Sequence, residues 1–297
     1  MTLGLRRMKR HLVPLILLAP ALITIGVVIG FPIVRAVWLT FQDYNVLRPE
    51  RTTFAGFDNY LATFQNPVFW TALRNSLVWV GGAVSLQILF GFIGALLLDQ
   101  RFFGRYVIRG LLLIPWATPS VLVALMWMWM LDGNYGVIND MLRQVGLIDR
   151  YIPWVAQPAT ALPTLIVIDV WQGVPFFAVM ILAALQAFPK ELSDAAVVDG
   201  ASPWQQLWFI KVPFILPTLL ITAVLRIIWT ANYMDLMFII TNGGPGFRTT
   251  TLPFLAYTTS YRRLAFGQGA TIALIQALLL AVVIVLYIRL LRRREVV

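Results

Sequence analysis

The chain has 297 residues, of which 60% are hydrophobic and 12% are charged. Soluble domains average roughly 45–50% apolar and about 25% charged residues, so no soluble core could hide this much apolar surface. The 23 Lys and Arg residues exceed the 13 Asp and Glu residues, which gives a formal net charge of +10. The sequence has no Cys, which excludes disulfides and thiolate metal sites. Its one His, His11, lies beside the N-terminal basic run, so the hydrophobic body has no imidazole for a Ser-His-Asp triad, and a two-His zinc motif is excluded. The composition therefore indicates an integral membrane protein.

Six apolar runs are long enough to cross a membrane, which takes about 20 residues as a helix. They cover residues 12–41, 71–98, 107–131, 160–187, 214–240 and 270–291. We therefore predict an all-α integral membrane fold with six transmembrane helices in a single domain, residues 1–297. The first run could be read as a signal peptide, but a signal h-region is only ~7–15 residues long. Because this run reaches about Val34 without a charge, we expect a retained anchor.

The positive charge is densest at the two ends of the chain, in residues 6–10 and 292–294. Six spans place both ends on the same side, and basic residues concentrate on the cytoplasmic side of membrane proteins. We therefore expect the N and C termini to be cytoplasmic. The net charge is then a topology signal, and no nucleic-acid partner is needed to explain it.

The chain carries no motif for binding a nucleotide. No G-x-x-x-x-G-K-[ST] phosphate loop occurs, and the Gly-rich stretch 241–246 lacks the required Lys. That stretch is typical of a tight turn in which Gly adopts positive φ. We therefore predict a transport protein without an ATPase site, a metal site or a catalytic residue of its own. Its energy must come from an ion gradient or from a separate subunit.

The loop at residues 188–213 predicts a short helix, a sharp stop and a second helix. Glu191 and Asp194 lie near the start of the first helix, where acidic side chains favour the helix dipole. Gly200 is placed to end that helix, and Ser202 and Gln205 are spaced as a capping box around an N1 proline. On physical grounds alone this is equally a stable helical hairpin with no special role.

The residues of this loop resemble the EAA loop of ABC importer permeases. Residues 194–201 read Asp-Ala-Ala-Val-Val-Asp-Gly-Ala, and Gly200, Ile210 and Pro213 all fall in the register of that pattern. Asp194 replaces the usual Glu and keeps the negative charge. The resemblance implies that the loop couples the chain to a cytoplasmic ATPase through Glu191, Asp194, Ala195, Ala196, Asp199, Gly200 and Ala201.

Three further stretches resemble sugar-transport permeases, and the last of them resembles the MalF and UgpA type. They are residues 54–60, residues 171–176 and Thr-Asn-Gly-Gly-Pro at residues 241–245. The resemblance spans nearly the whole chain and implies the MetI-like transmembrane domain of ABC importers. It also implies that an extracytoplasmic solute-binding protein contacts the outer turn at Asn242, Gly243, Gly244 and Pro245.

The resemblance implies the remaining partners as well. A second homologous permease subunit would complete the pathway, and a dimer of ATP-binding subunits would bind ATP and Mg²⁺, so that this chain needs no cofactor. The protein would be a multi-pass component of the cytoplasmic (inner) membrane, in contact with lipid. It would import a sugar or a sugar derivative, neutral or anionic.

Burying an ionisable side chain within a membrane span costs free energy, so such residues usually face a cavity or a polar partner. In the fourth and fifth spans these are Asp169, Arg226 and Asp235. At 100° per residue one helix stripe of the fifth span combines aromatic and polar side chains that suit a sugar ring, namely Arg226, Trp229, Thr230 and Tyr233. Asn232 and Asp235 lie on roughly the opposite face. Arg226 could equally form a structural ion pair with Asp169. The candidate substrate residues are Asp169, Trp171, Arg226, Trp229, Thr230, Tyr233, Asn232 and Asp235.

Other classes of protein remain as alternatives. An ABC permease for another solute would carry the same EAA loop. An ion-driven secondary transporter would favour discontinuous helices and a coordination cluster at mid-membrane, and it would leave that loop without a role. An intramembrane enzyme lacks a metal ligand set and a catalytic His.

Overall fold

The computed structural model describes residues 17–292 of the chain, so the start of the first predicted span lies outside the described residues. In chain order, the helices are α1 (Leu17–Leu39), α2 (Asp58–Gln65), α3 (Pro67–Asp99), α4 (Arg105–Leu112), α5 (Ile114–Ala117), α6 (Ser120–Met130), α7 (Val137–Gln144), α8 (Ala161–Gln186), α9 (Lys190–Val198), α10 (Pro203–Thr241), α11 (Leu252–Tyr257) and α12 (Phe266–Arg292).

Five of these helices, α1, α3, α8, α10 and α12, are long and apolar enough to cross a membrane. Each overlaps one predicted run, and α8 differs by a single residue at each end from the run 160–187. Helix α10 is irregular, with π-helical turns at Leu207–Lys211 and Met237–Thr241 and a break at residues 233–234. The described part of the chain is therefore dominated by membrane-length helices.

The third predicted run is a broken span. The segments Arg105–Ala117 and Ser120–Met130 are bent by 94° relative to each other. Thr118 ends α5 in an extended conformation, as expected of a residue that precedes a proline, here Pro119. Proline also lacks the N–H that would continue the helical hydrogen bonds. The chain therefore turns sharply within the predicted membrane-crossing segment.

The described residues form two compact units, and the first comprises the chain up to Gln65 together with Ala256–Ile275. It contains a two-stranded antiparallel hairpin, β1 (Gln42–Asp43) and β2 (Thr53–Phe54), that the all-α prediction did not include. Buried Asn59 donates to the carbonyls of Thr40 and Gln42, both at 2.9 Å, and so closes the polar turn before the hairpin.

The second unit comprises Asn66–Leu255 together with the chain from Gln276. Its centre is the packing of α3 against α8, where a Cβ on Gly91 would stand 2.4 Å from the Cβ of Phe177. Glycine at this position lets the two helix backbones approach closely. A buried cluster that includes Trp79, Leu165 and Ile168 lies along the same contact. The α3–α8 pair thus forms the centre of this unit, and it carries the buried polar side chains Gln87 and Asp169.

Candidate functional site

Three buried polar side chains, hereafter the bracket, form a hydrogen-bonded cluster that joins three helices: Gln87 of α3, Asp169 of α8 and Arg226 of α10. Arg226 Nη2 lies 2.9 Å from Asp169 Oδ1, and Arg226 Nε donates to Gln87 Oε1 at 2.7 Å. Gln87 Nε2 in turn donates to Asp169 Oδ2 at 2.9 Å and to the Asp169 carbonyl at 2.8 Å. Arg226 and Asp169 therefore form the ion pair that was one of the two predicted roles for Arg226, with Gln87 as an additional partner.

Gly173 makes room for this bracket on α8. A Cβ at this position would stand 2.3 Å from Gln87 Nε2 and 2.6 Å from Arg226 Nη2. Two polar groups from neighbouring helices therefore occupy the space that any other side chain would need. The close approach of both groups to the α8 backbone explains why glycine occupies this position one turn after Asp169.

The bracket forms one wall of a cavity of about 140 Å³. Its lining residues are Trp116, Asp169, Gln172, Arg226, Trp229, Thr230 and Tyr233. The stripe predicted on the fifth span thus faces this cavity as a unit, together with Asp169 across from it. Both residues of the ion pair line the cavity, so Arg226 can pair with Asp169 and also face a ligand.

Aromatic side chains that the sequence reasoning missed complete the cavity wall. Trp116 of the broken span stacks on Phe176 with ring centroids 6.0 Å apart, and Phe176 contacts Trp229 at 5.2 Å. The two prolines that flank Trp116 were the only available signal, since they indicate a break where the chain could turn inward. Aromatic faces of this kind suit the C–H faces of a sugar ring.

Among the described residues that line the cavity, Thr230 is the one with a fully buried side-chain polar atom that lacks a hydrogen-bond partner. Thr230 is 1% exposed, lines the cavity, and its Oγ1 has no hydrogen-bond partner in the described part of the chain. Buried polar groups are almost always paired, so such an atom needs a specific reason. Gln172 and Tyr233 are already engaged, because the Tyr233 hydroxyl donates to Gln172 Oε1 at 3.3 Å.

Three of the predicted substrate residues do not line this cavity. Trp171 packs edge-on against Trp127, with ring centroids 5.6 Å apart. Asn232 faces α12, where its Oδ1 accepts from Gln276 at 3.2 Å. Asp235 Oδ2 accepts a short hydrogen bond from the hydroxyl of Ser120, at the start of α6. Within residues 17–292, no cluster of three His, Cys, Asp or Glu side chains could hold a metal ion.

The loop at residues 188–213 has the predicted helix–stop–helix form. Helix α9 ends at Val198, and Gly200, two residues later, has φ +78°. The amides of Gly200 and Ala201 close the helix end by donating to the carbonyls of Val197 and Ala196. This is the Schellman arrangement, in which the left-handed residue is usually glycine. The predicted capping box is present, with Ser202 and Gln205 bonding each other's backbone N–H.

The predicted coupling residues differ in exposure. Ala196 is buried and Ala201 is half-buried, whereas the other predicted coupling residues are exposed, namely Glu191, Asp194, Ala195, Asp199 and Gly200. Apolar side chains are exposed beside them, with Val197 at 61% and Val198 at 87%. The loop at residues 188–213, hereafter the coupling loop, therefore exposes both acidic and apolar side chains.

The outer turn after α10 is held by its own threonines. Thr249 Oγ1 donates to the Gly244 carbonyl at 2.8 Å, and Thr250 Oγ1 donates to the Gly243 carbonyl at 3.0 Å. Asn75 of α3 donates to the carbonyls of residues 247 and 250. Of the residues predicted to contact a binding protein, Asn242 is exposed, Gly244 and Pro245 are half-buried, and Gly243 is buried.

Sequence comparisons identify relatives over nearly the whole chain. A probable ABC transporter permease of Brucella suis is 34% identical over 97% of this chain and 99% of its own length. The trehalose/maltose permease MalF of Thermococcus litoralis is 31% identical over 94% of each chain. The sulfoquinovosyl glycerol permease SmoG of Agrobacterium fabrum is 32% identical over 96% of this chain and 92% of its own.

Solved structures share the fold at lower sequence identity. A chain of a bacterial ABC transporter that imports the acidic polysaccharide alginate superposes with a TM-score of 0.83, at 22% identity, over 97% of this chain and 98% of that one. A chain of the MetNI methionine transporter gives a TM-score of 0.57 over 77% of this chain and 98% of that one. The family model described as the inner membrane component of binding-protein-dependent transport systems matches residues 87–296. The chain therefore belongs to the family of inner-membrane permease components of binding-protein-dependent ABC transport systems.

Proposed function

We propose that this permease translocates a sugar through the cavity between α8 and α10, with Thr230 and Arg226 as ligand-binding residues. The observation that carries the proposal is the buried, unpartnered hydroxyl of Thr230 beside two exposed aromatic rings. Sugars present many hydroxyls that both donate and accept, together with apolar ring faces. The names of the relatives agree with this class, since they include permeases for trehalose/maltose and for diacetylchitobiose.

The size of the cavity fits part of an oligosaccharide. Its volume of about 140 Å³ is below the roughly 300–1,000 Å³ of typical ligand pockets. A cavity of this size accommodates about one sugar ring. A second homologous permease would supply the remaining wall of the pathway, as in the two-permease architecture that the sequence resemblance implies.

Coupling to ATP hydrolysis is proposed to occur through α9. A partner ATP-binding subunit would bind ATP and Mg²⁺, and it would contact the exposed acidic and apolar side chains around Asp194 and Val198. The Schellman end at Gly200 and the capping box at Ser202 fix the shape of the coupling loop, so a force applied to α9 is transmitted directly to α10.

On the opposite side, the exposed Asn242 turn is the proposed contact for the solute-binding protein. Its threonine hydrogen bonds make it a preformed surface. The alginate importer has itself been solved in complex with an alginate-bound periplasmic protein. We infer that the termini of the chain lie in the cytoplasm, because the basic residues are densest at both ends.

The test is substrate-stimulated ATPase activity of the complete complex in proteoliposomes, screened with sugars, amino acids, peptides and phosphate. The sugar panel contains maltose, trehalose and diacetylchitobiose as neutral probes, and sulfoquinovosyl glycerol and an alginate trisaccharide as acidic probes. We expect a sugar to give the strongest stimulation and uptake. Strongest stimulation by an amino acid or another non-sugar solute would show that the proposed substrate class is wrong.

The role of Thr230 is tested with a matched pair of variants on the same helix. Thr230→Val removes the free hydroxyl, and Thr222→Val removes a buried hydroxyl that already donates to the Thr218 carbonyl at 2.7 Å. Losing one hydrogen bond to the sugar, worth about 1 kcal/mol, is expected to raise the half-saturating sugar concentration about fivefold in Thr230→Val only. Equal effects of the two substitutions would contradict direct binding.

A further inference from the structure

We propose that this permease selects uncharged sugars and rejects acidic ones, because a carboxylate of the chain neutralises each positive group at the cavity. The inference rests on the proposed sugar-transport function and adds the charge class of the substrate. Asp169 sets this selectivity at the cavity wall, and Asp235 balances the helix N-terminus that adjoins the cavity. Sequence similarity leaves the question open, because permeases named for neutral and for sulfonated sugars are both similar to this chain.

The first positive group is the guanidinium of Arg226. Arg226 and Asp169 are the charged side chains among the lining residues of the cavity, and they lie 2.9 Å apart, so the lining carries no net charge. The guanidinium has five N–H groups, and the bonds to Asp169 and Gln87 use two of them. The others can donate to neutral hydroxyls. Arg226 therefore supplies hydrogen bonds to a ligand without supplying an unmatched charge.

The second positive group is the N-terminus of α6, where the broken span restarts. Helix N-termini carry a partial positive charge that favours anions. The break adjoins the cavity, because Gln172, a lining residue, donates to the Thr118 carbonyl at 3.2 Å. At this end of α6, Asp235 accepts the hydrogen bond from the Ser120 hydroxyl. The carboxylate of Asp235 thus balances the charge that would otherwise attract an anionic ligand.

An acidic sugar would therefore enter a site without an available counter-charge. Burial of a carboxylate or sulfonate without a counter-charge is strongly unfavourable, and the guanidinium that could pair with it is already neutralised by Asp169. A neutral sugar meets a free hydroxyl at Thr230, N–H donors on Arg226 and the aromatic faces of Trp116 and Trp229. The arrangement favours hydroxyl recognition over charge recognition.

The wild-type complex with its binding protein is tested first, in the proteoliposome uptake assay with the neutral and acidic probes named above. We expect the best neutral probe to be taken up at least about tenfold faster than either acidic probe. Faster uptake of an acidic probe would overturn the charge inference and leave the sugar-transport proposal intact. Stimulation by non-sugar solutes alone would contradict the sugar-transport proposal itself.

Two variants assign the selectivity to the carboxylate. Asp169→Asn leaves Arg226 unmatched, and the double variant Asp169→Asn with Arg226→Gln removes both charges. The ratio of acidic to neutral uptake is expected to rise about tenfold in the single variant and to return within about twofold of wild type in the double variant. The ratio cancels differences in the amount of folded complex. Equal ratios in the single and double variants would overturn the assignment to Asp169.

Discussion

Charged side chains are buried and paired in the bracket, whereas they are exposed in the coupling loop. In the bracket, Asp169 is 1% exposed and its carboxylate accepts hydrogen bonds from Arg226 and Gln87. In the coupling loop, Glu191 and Asp194 are exposed, and neither has an ion-pair partner among the described residues. The bracket is satisfied within the chain, whereas the coupling loop presents groups that are free to contact another protein.

Apolar side chains show the same contrast. Phe177 and Ile181 of α8 are fully buried in an apolar cluster of the second unit. Val198 and Phe209 of the coupling loop, in contrast, are 87% and 77% exposed. Exposed apolar patches that are rimmed by polar residues mark protein or membrane contacts. The core of the second unit is therefore covered within the chain, whereas the coupling loop carries apolar side chains that no described residue covers.

The largest expected effect comes from leaving the bracket with one charge. Arg226→Met removes the guanidinium and leaves Asp169 buried without its counter-charge, which is expected to destabilise the protein by about 3–5 kcal/mol. Adding Asp169→Leu removes the second charge and is expected to restore most of this loss. The measurement is the thermal unfolding of the purified complex in detergent. A double variant as unstable as the single one would mean that the bracket is not an electrostatic unit.

The next effect is expected from the end of α9. Gly200→Val forces a β-branched residue into φ +78°, a strain of about 1–3 kcal/mol that the Schellman end cannot absorb. We expect substrate uptake and substrate-stimulated ATPase activity to fall to below about a tenth of wild type, because the coupling loop loses its shape. Both rates are measured in proteoliposomes that contain equal amounts of assembled complex.

The matched control for this variant is Gly146→Val. Gly146 has φ +74° and, like Gly200, has open space around its missing Cβ, but it follows α7 rather than α9. The same backbone strain is therefore applied outside the coupling loop. We expect the control to keep most of its coupled ATPase activity. Equal loss in the two variants would show that the effect of Gly200→Val is general destabilisation.

A smaller effect is expected at Gly173, where the bracket approaches the α8 backbone. Gly173→Ala places a Cβ about where Gln87 and Arg226 lie, and such overpacking costs about 1–3 kcal/mol. Gly81→Ala on α3 is the control, because nothing lies within 4 Å of the added Cβ. The thermal unfolding temperature should fall in Gly173→Ala alone. An unchanged temperature would mean that the bracket can shift without loss.

Local sequence signals predicted most of the helices and the form of the coupling loop. Runs of apolar residues indicate spans, and the spacing of Gly200, Ser202 and Gln205 indicates a stop and a capping box because each acts on residues within one helical turn. The 3.6-residue period was likewise sufficient to group Arg226 with Thr230 on one face of α10. These features depend on neighbours in the sequence, so the sequence contains the information directly.

Contacts between distant segments were beyond such reasoning. Gln87 lies 139 residues from Arg226, and no pattern around it distinguishes it from other polar residues in a span. Residues 107–131 were predicted as one continuous span, and the 94° bend and the stacking of Trp116 on Phe176 depend on the packing of α5 against α8. The hairpin at residues 42–54 was missed because each strand has only two residues.

The smallest effect tests whether the coupling loop depends on charge or on side-chain length. Asp194 stands where the resembling family pattern has Glu, and its carboxylate is exposed. Asp194→Glu keeps the charge on a longer side chain, and exposed substitutions of this kind change free energies by no more than about 0.5 kcal/mol, or about twofold in a rate. We therefore expect coupled ATPase activity within about twofold of wild type in Asp194→Glu, and a clear loss in Asp194→Asn.

Because the two variants differ in charge at similar exposure, equal activity in both would mean that the carboxylate of Asp194 does not contact the ATP-binding subunit. The coupling loop would then depend on its apolar side chains, and the contrast with the bracket would rest on shape rather than on charge.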